Sequence, residues 1–286
     1  MIYIIVPIFN RIENLPSLFK QLDRQTYRDF KLVLVDHGSR KADQSTLPDY
    51  VVYRQGTEDQ WWSGAVNIGL QYVFAVAQPS DYILLQNDDV DFGPELLDVL
   101  LQVSREHNAV VGAITLERGT RRVLDANNRL SFWRARHICP HLEKDLSEIK
   151  ETFLEADVLK GRGVLYPVPI AKKIGYTDEH LHYRADPEWS YRAKKMNSKL
   201  GITTKTQVET TLDTQEGNFE KSGVRKILYN LFSKRSTQNI PAAWRYFVHC
   251  FGIGAVYAIV VHTVRCVLYY SAKELLVFFN YEKQRN

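Results

Sequence analysis

Cysteine is scarce in this 286-residue chain: there are three, Cys139, Cys250 and Cys266, widely spaced and odd in number. They make neither a disulfide framework nor a metal knuckle, which favours a reducing compartment. No Gly-x-Gly-x-x-Gly follows the first apolar run, which argues against a dinucleotide cofactor. A Gly-x4-Gly-Lys-Ser/Thr loop is missing too, so any diphosphate would be held by metal and side chains rather than by a glycine nest. The eight histidines show no His-x3-His or other ligand spacing, and there is no internal repeat or low-complexity segment. The opening Met1-Ile2-Tyr3-Ile4-Ile5-Val6-Pro7 lacks a basic leader and is too short for a signal peptide. It reads as a first strand of a cytoplasmic body.

What is present is ordinary globular composition, 45% hydrophobic, in a length that allows one large domain with an appendage. Charge is unevenly placed. Residues 221–286 hold ten Lys and Arg against Glu274 and Glu282, a balance of +8, so with +4 overall the first 220 residues carry −4. A basic, aromatic tail on a slightly acidic body points to an anionic surface, membrane lipid or nucleic acid.

The first half alternates strand and helix. Apolar runs at 3–6, 31–35, 82–85 and 109–115 predict buried strands, with a further short strand at 50–53. Helices are predicted at 13–24, where Leu15, Leu18, Phe19 and Leu22 share a face, at 64–77, and at 94–107 with Pro94 in the first turn. This alternation implies an α/β fold, a largely parallel sheet with helices on both faces. The pattern weakens between residues 116 and 154. A strand pair is expected at 156–166 around Gly161 and Gly163, then a short helix at 170–174 and another opened by Asp186-Pro187-Glu188. There Asp186 suits an N-cap and Pro187 the first helical position.

Polar residues cluster where strands of such a sheet end, which is where ligands bind. Gln86-Asn87-Asp88-Asp89 follows the strand at 82–85. Adjacent carboxylates there either hold a hard divalent cation such as Mg²⁺ or Mn²⁺, or form a solvated turn closed by helix capping. Asp36, ending the strand at 31–35, either accepts a hydrogen bond from a nucleobase or ribose, or caps the next turn. Trp61 and Trp62 either pack in the core or stack on sugar rings, and Gly64 and Gly69 permit close backbone approach. Asp186 at a helix N-terminus is kept ionised by the dipole and is a competent proton acceptor, with Glu188 the second candidate.

Together these residues resemble the family-2 glycosyltransferases with the GT-A fold, over roughly residues 2–202. The marks, in order, are Val6-Pro7-Ile8-Phe9-Asn10, Val35-Asp36-His37-Gly38-Ser39 and Trp61-Trp62-Ser63-Gly64-Ala65-Val66-Asn67-Ile68-Gly69. Leu85-Gln86-Asn87-Asp88-Asp89-Val90 stands at the family's Asp-x-Asp metal motif. The Gly161–Gly163 segment then precedes Asp186-Pro187-Glu188-Trp189-Ser190-Tyr191-Arg192-Ala193, similar to its acidic acceptor motif. The double tryptophan is most like bacterial transferases that build rhamnose-containing or related surface polysaccharides.

The resemblance implies a GT-A domain at 1–220 with a mostly parallel sheet, and a C-terminal helical region at 221–286. Carried over by position, it implies Asp186 as general base and Asp89 with Asp88 as ligands of Mg²⁺ or Mn²⁺. Pro7, Phe9, Asn10, Asp36, Trp62, Gly64, Asn67 and Asp88 would surround the donor nucleotide, with Asp36 at the nucleobase. Gly161, Arg162, Glu188 and Trp189 would meet the acceptor. The implied reaction is inverting transfer from a UDP- or dTDP-sugar to a saccharide hydroxyl, lipid-linked or free. Three positions depart from the pattern: Asn87 replaces the first Asp of the metal motif, and Ala185 replaces an acidic residue before the base. The histidine expected near 210–215 is absent, with Asp213 a substitute.

Two rivals remain at this point. A nucleotidyltransferase is disfavoured because no Gly-rich, Lys/Arg-bearing loop follows the first strand. A catalytically silent nucleotide- or sugar-binding subunit of a membrane complex is kept alive by Asn87 and Ala185. The stretch 246–264 has 19 residues without Lys, Arg, Asp or Glu, between Arg245 and Arg265. It either spans a bilayer, lies at its inner surface or against a homodimer partner, or forms a core helix pair.

Overall fold

The computed structural model describes residues 1–211, 224–234 and 236–285, through the backbone alone at 182, 224, 226 and 273–285. Asp213 therefore lies outside the described residues. The sheet is built on strand β1 (Ile2–Ile8), buried at every position. Ile2, Ile4, Val6 and Ile8 face one core layer and Tyr3 and Ile5 the other. A strand covered on both faces must be apolar throughout, which is why these runs do not alternate.

The other strands are β2 (Phe30–Asp36), β3 (Val51–Gln55), β4 (Tyr82–Leu85), β5 (Asp91–Phe92), β6 (Ala109–Glu117) and β7 (Val123–Asp125). Beyond a separate two-stranded ladder of β8 (Arg129–Ser131) and β9 (Arg136–Ile138) come β10 (Phe153–Glu155), β11 (Val164–Pro167) and β12 (Lys199–Thr210). The ten-stranded sheet runs β10-β12-β6-β11-β4-β1-β2-β3, with β5 on β12 and β7 on β6. Pairings β1–β2, β1–β4, β2–β3 and β6–β12 are parallel; β11 enters antiparallel between β4 and β6.

Helices α1 (Leu15–Asp23) and α3 (Leu96–His107) cover one face. Helices α2 (Trp61–Val76), α4 (Val168–Ile174) and α5 (Ala185–Lys195) cover the other. In α2, Gly69 lies against β1: a Cβ there would stand 2.6 Å from Ile5 Cγ2, so its close approach is to the sheet rather than to a ligand.

Two expectations are corrected. The segment 156–166 is not a strand pair: only β11 is a strand there, and it pairs with β4 and β6. Gly163 (φ +68°) lies directly before it, donating to the Leu85 carbonyl at 3.0 Å. Pro94 does not open α3, which begins two residues later. The buried Gln25 holds this junction, donating to the Gly93 carbonyl at 2.8 Å and accepting from the Leu97 amide at 3.2 Å. A cap supplied from 72 residues away leaves no local signature.

The chain divides into two units: Met1–Arg129, Ile138–His180 and Ala185–Leu212 form the sheet unit, and a second unit takes Leu130–His137, Leu181–Arg184 and the C-terminal region. The second unit thus includes two short segments that the boundary expected at 220/221 leaves out. Its helices are α6 (Val224–Phe232), α7 (Ile240–Phe251) and α8 (Ala255–Arg285). Asn239 caps α7, accepting from the Ala242 amide at 2.8 Å. Ile240–Ala272 is long and apolar enough to cross a membrane by length and composition. The stretch 246–264 is not one straight helix, however: the backbone breaks at Gly252 (φ +56°), and α7 packs on α8, Phe247 meeting the His262 ring at 5.8 Å. Tyr246 and Phe247 are fully buried, with Arg184 5.7 Å and 5.9 Å over their rings.

Candidate active site

The carboxyl ends of β1, β2 and β4 carry three loops on one rim of the sheet. Asn10 (φ +56°) joins the first two, its Oδ1 accepting from the Arg40 amide at 2.8 Å and the Ser39 hydroxyl at 3.2 Å. Phe9 is exposed, its ring 5.1 Å from that of His37. Pro7 is buried within β1 opposite Val35.

Asp36 is fully buried. Its Oδ2 accepts from the Ala42 amide at 2.8 Å and the Tyr53 hydroxyl at 2.9 Å, and its Oδ1 from the Gly38 amide at 3.3 Å. This carboxylate organises the loop after β2, the turn-capping role, and presents no surface to a nucleobase.

The third loop holds the acidic pair. Burial pushes the Asp88 carboxyl up, opposed by the neighbouring Arg11. Asn14 donates to its Oδ2 at 3.0 Å, while Arg11 Nη1 stands 2.9 Å from Asp89 Oδ2 and 3.5 Å from Asp88 Oδ1. Asp89 Oδ1 is buried with no hydrogen-bond partner. Asp91 is engaged by Arg118 at 2.6 Å. Among the described residues no group of three or more His, Cys, Asp or Glu side chains converges to hold a metal. Two hard carboxylates with an orphaned oxygen do fit a divalent ion whose remaining positions are filled by phosphates and water.

Next to that pair, Asn87 Oδ1 accepts from the Trp62 indole N–H at 3.1 Å. The same indole rests on Gly161: a Cβ on Gly161 would stand 2.9 Å from Trp62 Cζ2 and 3.4 Å from Asp186 Cβ. The Gly161 amide in turn donates to Asp186 Oδ2 at 2.8 Å. Asp186 is therefore not the N-cap of α5. It is the second residue of the helix, turned toward the loop that precedes β11. Burial raises the Asp186 pKa to about 6, against the Gly161 N–H and the charges of Arg162 and Lys160.

Several expected site residues are placed elsewhere. Asn67 is engaged with the loop before α5, accepting from the Thr177 amide at 2.8 Å and donating to the Glu179 carboxylate at 3.0 Å. Gly64 packs over Gln60, at the start of the same helix. Glu188 is buried in an ion pair with Arg192 at 2.9 Å, so it is not available as a base or an acceptor contact. Trp189 is fully buried, its indole N–H donating to the Gly175 carbonyl at 2.7 Å and its ring 4.4 Å from Tyr166; it is core. Arg162 acts on Asp186 through its charge.

Two members of the site escaped sequence reasoning. Arg11 carries a readable signal, as the basic residue directly after Asn10 on the ligand-binding rim. Lys160, which acts on Asp186 and is paired with the buried Asp125 at 2.7 Å, carries none, because its partner lies 35 residues upstream.

The sheet order and the polar loops at its carboxyl rim define an α/β architecture with a ligand-binding edge. The glycosyl transferase family 2 model matches residues 3–161, more than half of the sequence, and the chain belongs to that family. An uncharacterised glycosyltransferase of Haemophilus influenzae is 32% identical over 110 residues, which cover 37% of this chain and 35% of that protein. Staphylococcus aureus TarS is similar in structure, with a TM-score of 0.56 at 16% identity over 89% of this chain and 49% of that one. GalNAc-T7, solved with UDP, GalNAc and Mn²⁺, matches with a TM-score of 0.56 at 13% identity over 74% of this chain and 44% of its own. TarS residues 1–349 in complex with UDP gives 0.55 at 15% identity over 90% and 69%. The chain thus spans about a third of its sequence relative and about half of the first two structures. At these identities the structures establish the fold, which is GT-A as the sequence implied.

Proposed function

We propose that this chain transfers a sugar from a UDP- or dTDP-linked donor to a saccharide hydroxyl, with inversion. One run of contacts carries the reading. Trp62 rests on Gly161, whose amide holds Asp186, while its indole N–H holds Asn87 beside Asp88 and Asp89. A single indole thereby braces a general base and a diphosphate-binding turn.

A Mg²⁺ or Mn²⁺ ion held by Asp88 and Asp89 would supply Lewis-acid stabilisation of the departing diphosphate. The protein's own residues do the rest. The Gly161 amide fixes Asp186 Oδ2 and with it the carboxylate plane. With a pKa of about 6, Asp186 is mostly ionised at pH 7 yet more basic than an ordinary aspartate, as proton abstraction from a hydroxyl requires.

The acceptor is a saccharide, lipid-linked in cell-surface polysaccharide synthesis, and the second unit supports work at the inner face of the cell membrane. Among its described side chains every formal charge is positive, from Arg134, Arg136, Arg184, Arg225, Lys234, Arg245 and Arg265. Trp133 (74% exposed), Ile253 (97%), Val256, Val260, Val264 and Leu268 present apolar surface. Cationic and apolar surface together suit an anionic bilayer interface.

A nucleotide- or sugar-binding subunit without turnover is the second reading, favoured by the Arg11 guanidinium on the acidic pair. Calorimetric titration of UDP and dTDP, with and without Mn²⁺, into wild type and Asp89→Ala tests the donor site, and release of the nucleotide from its sugar donor in the presence of acceptor separates the two readings. Mn²⁺-dependent binding of one nucleotide, lost in Asp89→Ala, is expected. No binding of either by folded protein rejects the donor assignment.

A further inference from the structure

The Asp88–Asp89 pair already has a counter-ion made of protein. Arg11 Nη1 reaches both carboxylates, at 2.9 Å and 3.5 Å, from the segment between β1 and α1. We propose that Arg11 is a resident placeholder which a divalent cation must displace from Asp88 and Asp89, and which then turns onto the donor's diphosphate. The proposal rests on the donor-site reading above and adds how that site is loaded.

Charge is the first argument. Two carboxylates and one guanidinium leave one negative charge in excess, and Asp89 Oδ1 stays buried without a partner. A monovalent, planar cation therefore satisfies the pair incompletely. A compact divalent ion neutralises it fully and draws the oxygens closer than a guanidinium can. The two cations compete for the same oxygens, so one must leave.

Mobility is the second. The backbone at this point is held, because Asn10 in its left-handed conformation is tied to Ser39 and Arg40. The Arg11 side chain is 41% exposed and long, so it can swing while its Cα stays in place. Asn14, which holds the other Asp88 oxygen at 3.0 Å, keeps that carboxylate oriented during the exchange.

Chemistry is the third. A guanidinium leaving a carboxylate needs another anion, and its fork of N–H donors fits phosphate oxygens. A nucleoside diphosphate arriving with the metal brings such oxygens to the same rim. Metal and nucleotide should then bind with positive coupling, each favouring the other, because the nucleotide takes up the cation that the metal releases.

The test is Mn²⁺ binding, read from the electron paramagnetic resonance of free Mn²⁺, on wild type, Arg11→Met and Arg11→Gln with matched melting curves. The two neutral variants guard against one failing to fold. Wild type is expected to bind Mn²⁺ alone weakly and at least about tenfold more tightly with saturating UDP or dTDP. Arg11→Met and Arg11→Gln should bind Mn²⁺ alone about tenfold more tightly than wild type and lose most of that coupling. Folded neutral variants that bind Mn²⁺ alone no better than wild type overturn the proposal, whatever the nucleotide does. So does nucleotide binding that ignores Mn²⁺ in wild type but is lost without Arg11, since Arg11 would then replace the metal while the transferase reading stands. Failure of every form to bind UDP or dTDP rejects the donor reading, and the Mn²⁺-only comparison still decides whether Arg11 and the metal compete.

Discussion

The indole nitrogen of Trp62 donates to Asn87 Oδ1 at 3.1 Å, and through this bond the start of α2 is fastened to the acidic turn after β4. Either Asn or Asp could accept there, but Asn87 does so without adding a third carboxylate beside Asp88 and Asp89. The departure from Asp-x-Asp is thus compatible with a working site. Trp62→Phe keeps an aromatic ring on Gly161 but leaves Asn87 without its donor. A lost bond of this kind is worth about 1 kcal/mol, so turnover should fall about five- to tenfold. Steady-state kinetics with kcat unchanged would remove Trp62 from the bracing role.

The proposed function makes Asp186 the general base. General-base catalysis contributes about 10²–10⁴-fold. Asp186→Asn should lower kcat by at least about a hundredfold while calorimetry shows nucleotide binding as in wild type. Retained turnover rejects Asp186 as the base.

The raised pKa of Asp186 also makes a stability prediction. The folded-state value is about 6 against an ordinary 3.8, so the native state binds the proton more tightly and stability falls as pH rises between those values. Asp186→Asn removes that cost. The variant should be more stable than wild type above pH 6, by on the order of 3 kcal/mol or about 5 °C in Tm, and little different below about pH 4. Thermal melts at pH 4 and pH 8 check this. Turnover of the wild type should fall by a factor of ten per pH unit below about 6, as the base is protonated.

The exposed face of the second unit gives a separate prediction. Ile253→Glu with Val260→Glu places two anions on that surface without touching its buried layer. Co-sedimentation with vesicles rich in phosphatidylglycerol should drop at least about tenfold, with little change for neutral vesicles. Wild type that stays in the supernatant with both vesicle types counts against a membrane role and leaves a second copy of the chain as the occupant, which sedimentation analysis would detect.

Sequence and structure agree most where a local rule is strong. Strands β1 and β4 were legible because a strand covered on both faces must be apolar at every position, whereas β12, which runs parallel to β6 but carries polar residues throughout, was not read from the sequence. The α1 face was legible from Leu15, Leu18 and Leu22 at helical spacing. The site was partly legible: the acidic turn, Trp62, Gly161 and Asp186 do come together. Glu188 was misread although Glu188 and Arg192 stand four apart on one helix, a spacing that itself announces an ion pair.

By itself the sequence determined the alternation of strands and helices in the first half of the chain, the rim on which polar residues gather and the cationic character of the tail. These follow from periodicity and composition, which act between near neighbours. Only the tertiary structure decided that Arg11 stands on Asp88 and Asp89, 77 and 78 residues away, that Asp36 organises a loop and that Trp189 is core. It also decided the proton affinity of Asp186. Burial sets that affinity, and burial depends on what the rest of the chain places around a side chain rather than on the residues beside it.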